Sequence, residues 1–227
     1  MKYIVIGLGI FGTSLAKKLT EQGHEVIGVD NQMEKVETLK ESITHAICLN
    51  SKDELAIKSL PLKTTDVVIV CIGEDEGANI MTTALLKKMK VKRIISRSIS
   101  PLHETILEAM GITEIISPEE ETAERWGKKL TTKGVYNSFE INKEYSILEV
   151  HVPEKFYGKS IEDIGFNKVY NVLVLTIMRP LEEKNLIGIS KTVNKIKEHA
   201  TADTILNEGD IMVLYGKNKN IQKLLQE

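Results

Sequence analysis

Apolar and polar positions along this chain follow two regimes. Up to about residue 116, short apolar runs near residues 2 to 6, 25 to 29, 46 to 49, 67 to 72, 93 to 96 and 113 to 116 predict β-strands. Between them, apolar residues recur at helical spacing and predict helices near 11 to 21, 32 to 41, 52 to 60, 77 to 90 and 101 to 110. Gly23 and Gly111 fall where helices should stop, and Pro101 where one should start. Strict alternation of strand and helix implies a parallel sheet covered on both faces, a Rossmann-like doubly wound α/β unit.

Ser117-Pro118-Glu119-Glu120 then opens a further helix, with a serine placed to cap it and a proline in its first turn. It is expected to run through Trp126 to about Leu130, with Trp126 and Leu130 forming a core or subunit-contact stripe. Thr131-Thr132-Lys133-Gly134 breaks the pattern. The expected organisation is residues 1 to 133 as a nucleotide-binding domain with a connecting helix, and 134 to 227 as a smaller α+β domain. In that second regime strands are expected at 146 to 152, 171 to 178 and 210 to 215, and short helices at 160 to 164 and 218 to 226. Residues 181 to 202 are poorly patterned, and loops with a partial helix are expected there.

The candidate chemistry begins at the first strand. Lys2-Tyr3-Ile4-Val5-Ile6 runs into Gly7-x-Gly9-x-x-Gly12 and then into a helix. Three glycines at this spacing allow a sharp turn, close approach of backbone to a pyrophosphate and tight seating of the helix, whose free N–H groups face the phosphates. Ile10 and Phe11 complete the loop. The second strand ends on Asp30, at about the separation where dinucleotide folds keep a carboxylate for ribose hydroxyls. Asn31 follows it, with no arginine nearby to receive a 2′-phosphate, which disfavours NADP. Asn50 and Ser51 follow the third strand, where an adenine edge would lie; capping the next helix is the competing role. Ile72, Gly73 and Glu74 follow the fourth strand, and Arg97 ends the fifth, positions that line the cleft in such sheets.

Composition narrows the function classes. The chain has 227 residues and a formal net charge of -2, with basic and acidic residues interspersed. That balance gives no general attraction to nucleic acid, and no nucleic-acid partner is expected. Cys48 and Cys71 lie in apolar strand-like runs and suggest neither a disulfide framework nor a zinc site. The five histidines have no metal-ligand spacing. No apolar run approaches the roughly 20 residues that span a bilayer, and the first strand starts at once, so a cytoplasmic protein is expected.

Several segments together resemble the RCK or KTN regulatory subunits of bacterial potassium uptake systems, of the KtrA and TrkA kind. They are Ile6-Gly7-Leu8-Gly9-x-Phe11-Gly12, Gly23-His24-Glu25-Val26-Ile27-Gly28-Val29-Asp30, Val68-Ile69-Val70-Cys71-Ile72-Gly73, Leu107-Glu108-Ala109-Met110-Gly111 and Ile115-Ile116-Ser117-Pro118-Glu119. In the second half, Gly158-Lys159-Ser160-Ile161 and Leu206-Asn207-Glu208-Gly209-Asp210 extend the resemblance to nearly the full length. It implies a regulator, not a catalyst: subunits assemble as dimers into a ring, often octameric, beneath a membrane-embedded potassium-translocating subunit, and nucleotide binding gates ion flux. ATP, ADP, AMP and NAD(H) are the ligands it suggests, with Glu119 helping to hold a divalent cation near the nucleotide, and with a cyclic dinucleotide at the C-terminal domain of some relatives. Many relatives carry arginine where this chain has Ile10, and there it reaches the terminal phosphate of ATP. An apolar side chain cannot make that charge-assisted contact, so ADP, AMP and NAD(H) gain weight, with Arg97 as partial compensation.

Two other classes are weighed. An NAD-dependent oxidoreductase shares the first domain, but needs a positioned proton donor or acceptor that the strand-rich C-terminal part does not display. An NADH-sensing transcription factor needs a helix-turn-helix and a basic face, and neither is visible.

Overall fold

In a computed structural model that describes residues 1–131, 134–184 and 190–226, the chain divides into two compact units, Met1–Glu120 and Glu121–Glu227. The expected domain boundary at Lys133 lies outside the described residues.

In the first unit, six parallel strands, β1 (Lys2–Ile6), β2 (Glu25–Asp30), β3 (His45–Cys48), β4 (Val67–Val70), β5 (Ile94–Arg97) and β6 (Glu114–Ile116), stand in the order β3-β2-β1-β4-β5-β6. Helices α1 (Ile10–Glu21), α2 (Met33–Leu39), α3 (Glu54–Lys58), α4 (Glu76–Lys88) and α5 (Pro101–Ala109) connect them. Successive strand side chains point to opposite faces. Accordingly Ile4, Ile6, Val68 and Val70 pack with Ile57, Leu86 and Leu107 of α3, α4 and α5. Val5, Val67 and Ile69 pack on the other face with Ala16, Val36 and Leu39 of α1 and α2. Burial on both sides is why Val67–Val70 is apolar at every position. The strand order reverses between β1 and β4, and an open sheet of this kind has its binding crevice at that point.

Helix α6 (Pro118–Thr131) starts in the first unit and continues into the second. Trp126 and Leu130 are 48% and 78% exposed, so they are not core within the chain.

The second unit is an antiparallel sheet in the order β10-β9-β11-β8-β7, built from β7 (Val135–Glu140), β8 (Tyr145–His151), β9 (Val172–Lys184), β10 (Ser190–His199) and β11 (Ile211–Lys217). Helices α7 (Ile161–Ile164), α8 (Phe166–Tyr170) and α9 (Asn218–Gln226) complete it. Its core joins Val150, Phe156, Phe166, Met212 and Leu214 to Ile221 and Leu224 of α9. Ser160 and Asp163 form a reciprocal capping box on α7, and Gly165 ends that helix in a left-handed conformation.

Residues 181 to 202 correct the expectation of loops and a partial helix. Strand β9 runs on to Lys184 and pairs with β10, from Ser190↔Lys184 to His199↔Thr176. Within this hairpin Leu181 and Ile196 are exposed, so backbone pairing rather than burial of an apolar face makes the strands. Strand β7 was also unanticipated: only Val135 and Ser138 are buried in it, and a register irregularity between Val135 and Asn137 breaks the two-residue period.

Candidate functional site

The three loop glycines serve three different purposes. Gly7 follows β1 with φ +96°, which side-chain-bearing residues rarely adopt, and a Cβ there would stand 2.8 Å from the Ile72 amide nitrogen. The loops after β1 and β4 therefore touch backbone to backbone at the reversal point. At Gly12 a Cβ would lie 1.9 Å from the Gly7 carbonyl oxygen, so this glycine lets α1 sit down on its own entry loop. Gly9 differs. Its φ is an ordinary -68° and nothing lies within 4 Å of a Cβ placed there. Neither the turn nor the packing of the chain requires it.

Asp30, only 8% exposed, holds the loop in shape. One carboxylate oxygen accepts from the Leu8 amide at 2.7 Å and the other from Gln32 N–H at 2.9 Å. A carboxylate offers about four acceptor positions, so capacity for a ribose hydroxyl remains. Ile10 opens α1 with its side chain 92% exposed, and Phe11 follows, half-buried.

Arg97 ends β5 with its side chain 15% exposed and forms an ion pair with Glu119 in the first turn of α6. Its guanidinium carbon stands 6.0 Å from the centre of the Phe11 ring. A Cβ on Gly73 would meet the guanidinium at 2.5 Å, so Gly73 is the residue that leaves room for Arg97. The structure thus brings Gly7, Phe11, Gly12, Ile72, Gly73, Arg97 and Glu119 together. Cys71, buried in the same place, has its thiol pushed up to about 12 by desolvation, with Arg97 opposing, and is chemically inert at neutral pH.

The remaining candidates have structural duties. Asn50 Oδ1 accepts from the Lys52 amide, closing a turn. Ser51 is buried, and its hydroxyl accepts from Thr82 Oγ1 at 2.8 Å. Neither caps α3; Asp53 does, accepting from Leu55 N–H. Asn31 is exposed beside Asp30, and Glu74 is 84% exposed, 3.9 Å from Lys35. Among the described residues no three His, Cys, Asp or Glu side chains are grouped to hold a metal. Glu119, paired with Arg97, does not by itself make a resident cation site.

Sequence reasoning missed Asn79. Fully buried on α4, its amide donates to the carbonyls of Ile72 and Arg97, both at 3.0 Å, and its oxygen accepts from Ser96. It fixes the two strand ends that bear Gly73 and Arg97. A polar residue on the buried face of α4, with Thr82 and Thr83 nearby, was the available signal.

An open parallel sheet with a glycine loop at its reversal point, a helix N-terminus beyond it and a carboxylate on the next strand defines a nucleotide-binding α/β domain. Residues 3–118 match the TrkA-N domain family. Over 226 residues the chain is 32% identical to Ktr system potassium uptake protein A of Bacillus subtilis (strain 168), covering 100% of this chain and 96% of that protein. Ktr system potassium uptake protein C of the same organism is 30% identical over 222 residues, 98% and 95% of the two chains. The crystal structure of the GsuK RCK domain matches with a TM-score of 0.66 at 17% identity, over 100% of this chain and 47% of that one. The GsuK channel bound to NAD matches equally well over 100% and 39%. At that identity the likeness is one of fold. The chain belongs to the TrkA-N family, which includes the Ktr potassium uptake proteins.

Proposed function

We propose that this chain is a cytosolic, nucleotide-binding regulatory subunit, not an enzyme, that gates a membrane-embedded potassium-translocating partner. The observation that carries the reading is Gly9: a glycine at the N-terminus of α1 that the chain's own packing does not need, with open space where its side chain would be. A pyrophosphate accounts for it, because a phosphate accepting helix N–H groups must come closer than any side chain allows. Gly7, Ile10, Phe11 and Gly12 frame that position, Asp30 and Asn31 stand where ribose would lie, and Asn50 and Ser51 where adenine would. Ile72, Gly73, Glu74 and Arg97 close the far side.

The ligand is an adenine nucleotide or NAD(H). Ile10 offers no charge to a terminal phosphate, which favours ADP, AMP and NAD(H) over ATP. The GsuK channel has been solved bound to NAD and, at a TM-score of 0.50, GsuK bound to ADP, each a fact about that protein. A divalent cation at Glu119 would need most of its oxygen ligands from the nucleotide itself. Gating requires that ligand bind one conformation of the assembly better than another. The oxidoreductase alternative loses ground because whole-length relatives are potassium uptake proteins.

Isothermal titration of the purified chain with ATP, ADP, AMP, NAD and NADH, with and without magnesium, tests the proposal. Saturable binding of one or more, without turnover and with a ligand-dependent change in assembly, is expected. No binding of any, or NADH oxidation by an added carbonyl compound, would overturn it.

A further inference from the structure

Arg97 and Glu119 are unequal partners. The arginine is 15% exposed, wedged against Gly73 and beside the Phe11 ring, and its Nε is buried without a hydrogen-bond acceptor. The carboxylate is 67% exposed. One partner is fixed by its surroundings and still has donors to give; the other can turn into water at little cost. Phe11 belongs to the first turn of α1, so Arg97 stands beside the helix N-terminus at which phosphate would be held. Gly73 sharpens the point. It has no left-handed backbone to explain it, and a Cβ there would meet the guanidinium at 2.5 Å, so a larger residue would make the guanidinium shift from this position.

We propose that Arg97 is a latch: Glu119 holds it when no ligand is bound, and a nucleotide phosphate takes it over, freeing the first turn of α6. The inference rests on the nucleotide-site reading and adds its regulation. An ion pair whose carboxylate is two-thirds exposed is screened by water on that side and is a weak hold. A guanidinium on phosphate makes paired, charge-assisted hydrogen bonds at the price of little further ordering, because Arg97 is already in place. The phosphate wins the exchange. Loss of the pair removes the side-chain tie between the first turn of α6 and β5, leaving only the backbone pairing of β6 with β5 just before it, and α6 is the helix that continues from the first unit into the second. Occupancy of the site is thereby written onto the connecting helix.

Glu119→Gln removes the competitor, so in EDTA it should bind ADP about threefold to fivefold tighter than the wild-type chain, while adenosine, which lacks phosphate, is unaffected. Arg97→Gln should weaken ADP binding, and in that background Glu119→Gln should change nothing. Trp126, the single tryptophan of the chain, lies on α6 with Lys129 Nζ 5.0 Å from its ring and reports on the helix. ADP should shift wild-type Trp126 fluorescence, and ligand-free Glu119→Gln should already lie toward the ADP-bound value. Circular dichroism establishes that each variant is folded; if Arg97→Gln is not, Arg97→Lys takes its place. Wild-type binding with no gain in Glu119→Gln sinks the latch alone. A gain that persists without Arg97 reduces it to plain charge repulsion, and weaker binding by Glu119→Gln only with magnesium assigns Glu119 to a cation instead. A wild-type chain that ignores ADP and every other nucleotide removes the site itself.

Discussion

Gly9 and Gly12 share a motif but resist substitution for opposite reasons. Alanine at position 12 would gain about 1 kcal/mol of helix propensity, yet its Cβ would sit 1.9 Å from a backbone oxygen that cannot step aside. The clash wins, and Gly12→Ala should lose about 2 kcal/mol or more of stability, read as a lower urea midpoint. Gly9→Ala should lose no more than about 1 kcal/mol, the cost of a poorer N-cap on α1, because no packing clash is added. Gly9→Asp should abolish nucleotide binding while keeping the fold, because its carboxylate would crowd and repel the phosphates. Unchanged affinity of Gly9→Asp in the same titration would contradict the site. The glycine turn from strand into helix, and the placing of Asp30 and Arg97 at strand ends, were legible in the sequence. That Asp30 spends a lone pair on Leu8 N–H, and that Gly73 exists to admit Arg97, were not, because both are contacts between segments far apart in sequence.

At the scale of elements, α4 and α5 enclose a histidine that the sequence left as scattered. His103 is fully buried, both ring nitrogens lack hydrogen-bond partners, and Glu76 Oε1 at the start of α4 stands 3.7 Å from Nδ1. Burial pushes the imidazole below its ordinary 6.5, with Glu76 opposing. As pH falls, the unfolded chain therefore takes up this proton before the folded one. The His103 contribution is fully present above about pH 6.5 and is lost as pH drops through the lowered folded value. Denaturation at about pH 7.5 and about pH 5.5 should show wild type losing more stability than His103→Leu. Equal slopes would mean that His103 titrates normally. Helices with an apolar stripe and strands buried on both faces could be read from the chain. Strands β7 and β10 could not, because their residues are held by ladder hydrogen bonds to β8 and β9 and carry little apolar periodicity.

For the whole molecule, a gating role requires neighbours. The chain should run as a dimer or a multiple of it in light scattering, with nucleotide altering the distribution or shape of the assembly. A strict monomer across micromolar concentrations would count heavily against the ring. Trp126 and Leu130, exposed on α6, are available to such contacts. Among the described residues no helix is long and apolar enough to cross a membrane.

The sequence by itself determined the class of each unit, the strand-to-helix placement of the glycine loop and the family, because periodicity, turn chemistry and motif order are local and survive in one dimension. Tertiary structure decided which glycine answers to turn, packing or open space. It also decided that Asn79 ties two strand ends together and that Arg97 is already engaged by Glu119. Those properties depend on which distant backbone and side-chain atoms meet. The sheet order sets that juxtaposition, and no periodicity along the chain encodes it.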